Sequence, residues 1–216
     1  MSRIPVISVV PMKPLSNAKS RLAPYLEDVD RRRLALNMLR RVIKAAGAAS
    51  GEVWVLGSDP LVEEMAVAEG AKWCRESGSN VNESLRLSFE EVWSNGAAAL
   101  FLPGDLPALR GEDVLGLAQL ARTSQSAALV PARGSGGTNA MLLAGASGFQ
   151  PLLGPDSFRK HLAQAEELGL HPAIYFSPGL SLDLDTWDDV EVCEAMAPGL
   201  FKRLLKEVTP TWLQKV

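Results

Sequence analysis

The sequence predicts an α/β fold, a mixed but mainly parallel sheet flanked by helices, and three observations carry that reading. Short β-branched apolar runs recur along the 216 residues, stretches of helical periodicity separate them, and glycine and proline punctuate the joins. The apolar runs are continuous where a half-exposed strand would alternate with polar residues, so both sheet faces are expected to be covered.

Val6 to Val10 form the first such run, stopped by Pro11. An amphipathic helix follows. Ala35, Met38, Leu39, Val42, Ile43 and Ala46 recur at helical spacing, while Arg32, Arg33, Arg40, Arg41 and Lys44 occupy other faces. The run Arg31 to Arg33 reads as a solvated helix face, with an anion site as the other reading. Glu52 to Gly57 repeat the strand pattern. A helix from about Leu61 to Glu69, a strand near Lys72 to Cys74, a helix from about Asn82 to Trp93 and an apolar strand over Ala97 to Leu102 continue the alternation. The remainder reads as a helix near Asp113 to Ala121, strands at Ala127 to Val130 and Asn139 to Leu143, and a helix over Ser157 to Leu168. Strands near Ala173 to Phe176 and Leu180 to Leu184, a helix starting at Thr186 and a last helix near Leu200 to Val208 complete it. The two strands flanking Gly134 to Gly137 are close enough for a hairpin-like pairing, which is why a mixed sheet is expected.

Composition narrows the function classes. A hydrophobic fraction of 47% and a charged fraction of 22%, with a mean hydropathy of +0.05, exclude disordered, collagenous and coiled-coil classes. No apolar run approaches the roughly 20 residues that span a bilayer, and the N-terminal stretch lacks a cleavage pattern, so a cytoplasmic protein is expected. A net charge of −3 gives no case for gripping a nucleic-acid backbone. Cys74 and Cys193 stand far apart without a Cys-x-x-Cys partner, and His161 and His171 lack the spacing of a helical metal pair; neither pair receives a role.

Ligands of open α/β sheets bind beyond the carboxyl ends of strands, and four segments there carry chemistry. The first is Pro11 to Leu22, in which Lys13, Lys19 and Arg21 could grip phosphate oxygens or be exposed loop charges. In the second, Gly104-Asp105-Leu106-Pro107, the carboxylate of Asp105 suits magnesium, and an Asx-turn cap is the alternative. The glycine-rich turn Arg133 to Asn139 could cradle an anion or form a flexible hairpin loop. In the fourth, Asp183-Leu184-Asp185-Thr186, a two-residue period sends both aspartates to one side. Thr186 and Asp189 match a capping box, leaving Asp185 free to share a metal with Asp105. Ser157, after Gly154-Pro155-Asp156, can cap its helix while the amides face an anion, and Asn80 and Asn82 can cap theirs or reach a purine base. The joint arrangement of lysines, separated aspartates and anion-friendly turns at strand ends favours metal-assisted phosphoryl-group chemistry over independent caps.

At Lys13, Ala18-Lys19-Ser20-Arg21-Leu22, Gly104 to Pro107, Gly136-Gly137-Thr138-Asn139, Gly154 to Ser157 and Asp183 to Thr186, the chain resembles the guanylyltransferase family of coenzyme F-420 biosynthesis. Members of that family activate 2-phospho-L-lactate, phosphoenolpyruvate or 3-phosphoglycerate with GTP. The motifs occur in the family's order up to about Val190. The resemblance implies a nucleotide-diphospho-sugar transferase-like, Rossmann-like fold. One nucleotidyltransferase domain would span residues 1–216, with a C-terminal helix near 198–208. It implies Mg2+ on Asp105 and Asp185, catalytic roles for these two with Lys13 and Lys19, and nucleotide contacts from Lys13, Lys19, Arg21, Asn82 and Gly104. It also implies that Thr138, Gly154 and Ser157 hold the phosphorylated acid. The Gly-Gly-rich first loop common in the wider fold is absent.

The expected partners are therefore GTP and a small phosphorylated acid, with no nucleic acid or membrane, and with a homodimer left open. Two other readings stay open at this point. One is a nucleotidyltransferase of the same fold acting on a sugar phosphate or molybdopterin-type acceptor; the other is a regulatory domain that binds nucleotide without chemistry.

Overall fold

The computed structural model describes residues 4–134 and 136–206. Within them the strands are β1 (Val6–Pro11), β2 (Glu52–Gly57), β3 (Lys72–Arg75), β4 (Ala98–Phe101), β5 (Ser126–Pro131), β6 (Thr138–Leu143) and β7 (His171–Ile174). The helices are α1 (Asp28–Ser50), α2 (Pro60–Ala68), α3 (Val81–Ser94), α4 (Gly111–Ala118), α5 (Ser157–Glu167), α6 (Pro178–Ser181), α7 (Trp187–Met196) and α8 (Leu200–Lys206). The strands form one sheet in the order β3, β2, β1, β4, β6, β5, β7. Only β6 runs against its neighbours: it is antiparallel to both β4 and β5, while every other pairing is parallel.

The continuous apolar runs are explained by a sheet buried on both sides. Val6 and Val10 of β1 face α1, α2 and α4, with Leu39, Val42, Met65 and Leu117 among the residues packed there. Ile7 and Val9 face the opposite way, toward Leu85 and Phe89 of α3 and Ala165 of α5. Helix α1 forms despite its arginines because Leu36, Leu39 and Val42 are fully buried, each such side chain contributing roughly 1.5–3 kcal/mol.

A third apolar cluster matters more for function. Leu22, Leu34, Met38, Leu182, Leu184, Val190, Cys193 and Leu204 pack together at the edge of the sheet. Asn37 reinforces this cluster, its Nδ2 donating to the Leu204 carbonyl at 2.6 Å. The cluster fastens the loop after β1 and the segment before α7 to the same helix, α1.

The expected strand over Leu180 to Leu184 is not one. Pro178 opens the short helix α6, which ends at Ser181, and the chain then runs extended without joining the sheet. Its alternation was real, since Leu180, Leu182 and Leu184 are buried. Leu182 and Leu184 join the third cluster, while Leu180, inside α6, joins the core cluster of Val6 and Val10, so the pattern reports burial and no ladder. The last strand also lies earlier than Ala173 to Phe176. Pro172 sits inside β7, which is tolerated because β7 is an edge strand paired only with β5. The stretch of the last helix expected up to Val208 falls outside the described residues beyond Lys206.

The reversal of β6 has a positional consequence. Its first residues, Thr138 and Asn139, lie at the same sheet edge as the carboxyl ends of β1 and β4.

Candidate active site

The loop after β1 contains two short 3-10 turns, Leu15–Asn17 and Ser20–Leu22, with Lys19 between them. Buried Leu15 and Leu22 anchor the turns, and the Leu15 amide donates to Asp59 Oδ2 at 2.9 Å. Lys19 is held in the left-handed region, at φ 48° and ψ 42°, a conformation that costs a non-glycine residue about 1–3 kcal/mol. The offset is visible at the other end of the side chain. Lys19 Nζ donates to Asp105 Oδ2 at 2.7 Å and to Asp185 Oδ1 at 2.8 Å. One ammonium thus joins the ends of β1, β4 and the segment before α7.

Burial pulls the Lys19 ammonium toward neutrality, but the adjoining carboxylates of Asp105 and Asp185 outweigh it and raise its pKa. Burial likewise pushes the Asp185 carboxyl up, and the Lys19 ammonium, aided by Arg21 and Lys13, brings it below its ordinary value. Asp183 behaves differently. Burial raises its pKa, and the charges of Asp105 and Asp185 add to the rise against the hydrogen bond from Asn139 Nδ2 at 3.0 Å. The sequence puts Asp183 on one side with Asp185 and gives it no role; the structure adds Asp105 to the charges acting on it. Thr186 and Asp189 form the expected capping box. Asp189 Oδ2 also accepts from the Asp185 amide at 3.1 Å, which fixes the backbone of Asp185.

A second group of side chains is neutral and buried. His161 Nε2 accepts from the Leu152 amide at 2.8 Å, so the proton of the neutral ring resides on Nδ1, which donates to Thr138 Oγ1 at 2.9 Å. Ser157 Oγ donates to the same oxygen at 3.3 Å. Thr138 therefore receives two hydrogen bonds and retains its own proton to give. Burial drives the His161 pKa down to about 4, with the Lys160 charge adding to the effect. His161 was assigned no role from its sequence spacing. Its ring in fact orients the Thr138 hydroxyl.

A cleft of about 580 Å3 runs along this edge, and Lys13, Lys19, Arg21, Gly104, Asp105, Gly154 and Asp185 all line it. Gly104 is in close quarters, since a Cβ there would meet Leu39 Cδ1 at 3.2 Å and Met12 Sδ at 3.3 Å. Gly154 needs its freedom for another reason, a φ of 130°. Asn82, Thr138 and Ser157 stand behind the lining. Asn82 holds the adjoining loop, its Oδ1 accepting from the Leu153 amide at 2.8 Å, while Asn80 caps α3 as expected. Ser157 is not the cap of α5. Asp156 takes that place at φ 56° without a side-chain cap bond, because the Ser157 hydroxyl is directed to Thr138.

A magnesium ion would need hard oxygen donors here. Asp105 Oδ1 is buried without a hydrogen-bond partner among the described residues, and Lys19 engages only one oxygen of each carboxylate. Asp105 and Asp185 thus fit a cation that shares its coordination with substrate oxygens and water. Among the described residues no cluster of three or more His, Cys, Asp or Glu side chains is arranged to hold a metal alone.

The chain is a doubly covered sheet with a lysine bridged between two aspartates at one sheet edge, and solved nucleotidyltransferase structures share its fold. A nucleotidyl transferase from Methanothermobacter thermautotroptrophicus superposes with a TM-score of 0.63 at 18% identity, over 92% of this chain and 98% of that one. A nucleotide-diphospho-sugar transferase candidate from Desulfovibrio desulfuricans G20 reaches 0.75 at 14% identity, over 98% of both chains. More narrowly, the chain belongs to the family described as guanylyl transferase, CofC like, whose model matches residues 6–200. The phosphoenolpyruvate guanylyltransferase of Rubrobacter xylanophilus is 38% identical over 88% of this chain and 94% of its own. The 2-phospho-L-lactate guanylyltransferase of Methanocaldococcus infernus is 31% identical over 85% and 82%.

Proposed function

We propose that this chain, as one cytoplasmic nucleotidyltransferase domain, transfers GMP from GTP to a small phosphorylated carboxylic acid and releases pyrophosphate. Phosphoenolpyruvate is the first candidate acceptor, ahead of 2-phospho-L-lactate and 3-phosphoglycerate, and the setting is coenzyme F-420 biosynthesis. The observation that carries the reading is the Lys19 ammonium bridged between Asp105 and Asp185, within a family whose relatives carry guanylyltransferase names.

In the reaction, an oxygen of the acceptor's phosphate attacks the α-phosphorus of GTP, and the bond to the β-phosphate oxygen breaks. A phosphate monoester is largely ionised near neutrality, its second pKa being about 6, so no protein base has to remove a proton. Lys13, Lys19 and Arg21 line the cleft where the triphosphate would lie and would offset the charge that builds on the departing pyrophosphate. Lys19 is held at its post before substrate arrives, so little reorganisation accompanies the reaction. Asp105 and Asp185 would hold Mg2+ through the oxygens Lys19 leaves free. Bound there, the ion supplies further neutralisation of the triphosphate. Thr138, buried just behind the cleft lining with an unspent proton, would meet the acceptor from the β6 side, where the Gly154 backbone lines the cleft.

The test is to supply GTP, magnesium and each of the three acids separately, and to measure pyrophosphate release and the mass of the product. A guanylylated acid is expected. Product from a sugar phosphate and from none of the acids would overturn the reading.

A further inference from the structure

The cleft contains one charged side chain that this chemistry leaves unused. Glu76 follows β3 and lines the cleft beside Val81. Its amide donates to the Gly57 carbonyl at 2.9 Å, which fixes the residue across the carboxyl ends of β2 and β3. Among the described residues no hydrogen bond or ion pair holds its carboxylate. An unpaired anion in a cleft that must admit a triphosphate lowers affinity unless it meets donors of its own.

The sheet order says which part of the ligand lies beside it. Lys19, Asp105 and Asp185 gather at the ends of β1 and β4, and Thr138 begins β6 on the far side of β4. If the transferring phosphate sits at β1 and β4 and the acceptor toward β6, the nucleoside extends the other way, over β2 to β3. Two strand spacings of about 4.8 Å cover roughly the reach of a nucleoside from its 5′-phosphate to the far edge of a purine. Guanine presents two adjacent donors on that edge, N1–H and the 2-amino group, spaced to meet the two oxygens of one carboxylate. Adenine and cytosine place an acceptor there, and uracil offers a single donor.

We propose that Glu76 is the base-reading residue of the cleft, its carboxylate accepting from N1–H and the 2-amino group of guanine. This rests on the site being a GTP site, and the test separates the two statements. Inosine triphosphate keeps N1–H and lacks the 2-amino group, so it probes the paired contact alone. Binding of GTP, ITP and ATP, each with magnesium, is measured by titration calorimetry on the full chain and on Glu76→Gln and Glu76→Ala, with melting temperatures to verify the fold. The wild type is expected to bind GTP about 10- to 100-fold more tightly than ITP, the range for hydrogen bonds to a charged group. Both variants are expected to bring the ratio below about 3-fold by weakening GTP. Variants that melt like the wild type and keep its GTP-to-ITP ratio would overturn the role of Glu76 while leaving the GTP site standing. A wild type that prefers ATP to GTP would overturn both.

Discussion

The cleft has two halves held by different physics. On the β1 and β4 side, Lys19, Asp105 and Asp185 are bound by opposite charge. Behind the lining on the β6 side, Thr138, Ser157 and His161 carry no charge at neutral pH and are bound by the direction of their hydrogen bonds. Charge acts at a distance and tolerates small movements, whereas a hydroxyl that donates in the wrong direction does nothing. In the proposed reaction the first half would lower a barrier at phosphorus, and the second would orient what attacks it.

If that division holds, the largest effects come from the charged half and appear in turnover. Asp105→Asn or Asp185→Asn conserves size and removes an anionic ligand. Each is expected to lower kcat by about 100-fold or more at limiting magnesium, with melting temperature little changed. Near-wild-type turnover in both would break the assignment. Lys19→Ala comes next, with a loss in kcat/KM of about 100-fold. Lys44→Ala is the matched control. Its side chain is 58% exposed and its ammonium 3.5 Å from Glu69, so a change under about 2-fold is expected. Equal losses in the two variants would show that net charge alone matters.

The neutral half predicts smaller effects of another kind. Thr138→Val keeps the shape and deletes the donor. An increase of about 10-fold in KM for the acceptor is expected, with GTP affinity unchanged, because one neutral hydrogen bond to the acceptor is lost; the buried His161 and Ser157 donors lose their partner as well. Thr138→Ser should restore most of it. A loss confined to kcat would place Thr138 with the charged half and dissolve the distinction.

The same division explains how much could be read from sequence. Lys19 and Asp105 were legible because the loops after β1 and β4 are where an α/β sheet puts its ligands, Asp185 because it follows an apolar alternation that proved not to be a strand, and all three because carboxylates and lysines announce their chemistry. The sheet's mixed character was legible too, from the short glycine turn between β5 and β6. His161 was not. Its role depends on Thr138, 23 residues away, and on the amide of Leu152, and hydrogen-bond direction leaves no periodic trace. Leu180 to Leu184 misled for a related reason. Alternation reports that residues are covered without saying by what, and here the cover is the first apolar cluster at Leu180 and the third at Leu182 and Leu184, and not a neighbouring strand. Ser157 reads as a cap in any sequence with glycine, proline and aspartate before it. Only the fold shows its hydroxyl turned inward to Thr138.

The smallest expected effect is on stability and comes from the imidazole that organises the neutral half. His161 is fully buried, and its pKa falls from 6.5 to about 4 on folding. The unfolded chain therefore binds a proton at a pH where the folded chain does not. Stability associated with this group is complete above pH 6.5 and declines as pH falls toward 4. Between pH 7.5 and 5.5 the decline attributable to His161 is about 1 kcal/mol. It is read from urea unfolding at the two pH values in the wild type and in His161→Gln, whose side-chain oxygen can still accept from the Leu152 amide. Other titrating groups, including Asp183 with its raised pKa acting in the opposite sense, contribute to both proteins and cancel in the difference. The wild type should lose more stability than the variant over that interval. Equal losses would mean that the ring charges in the folded state. Thr138 would then receive its hydrogen bond from a cation, and the β6 side of the cleft would no longer be the neutral half.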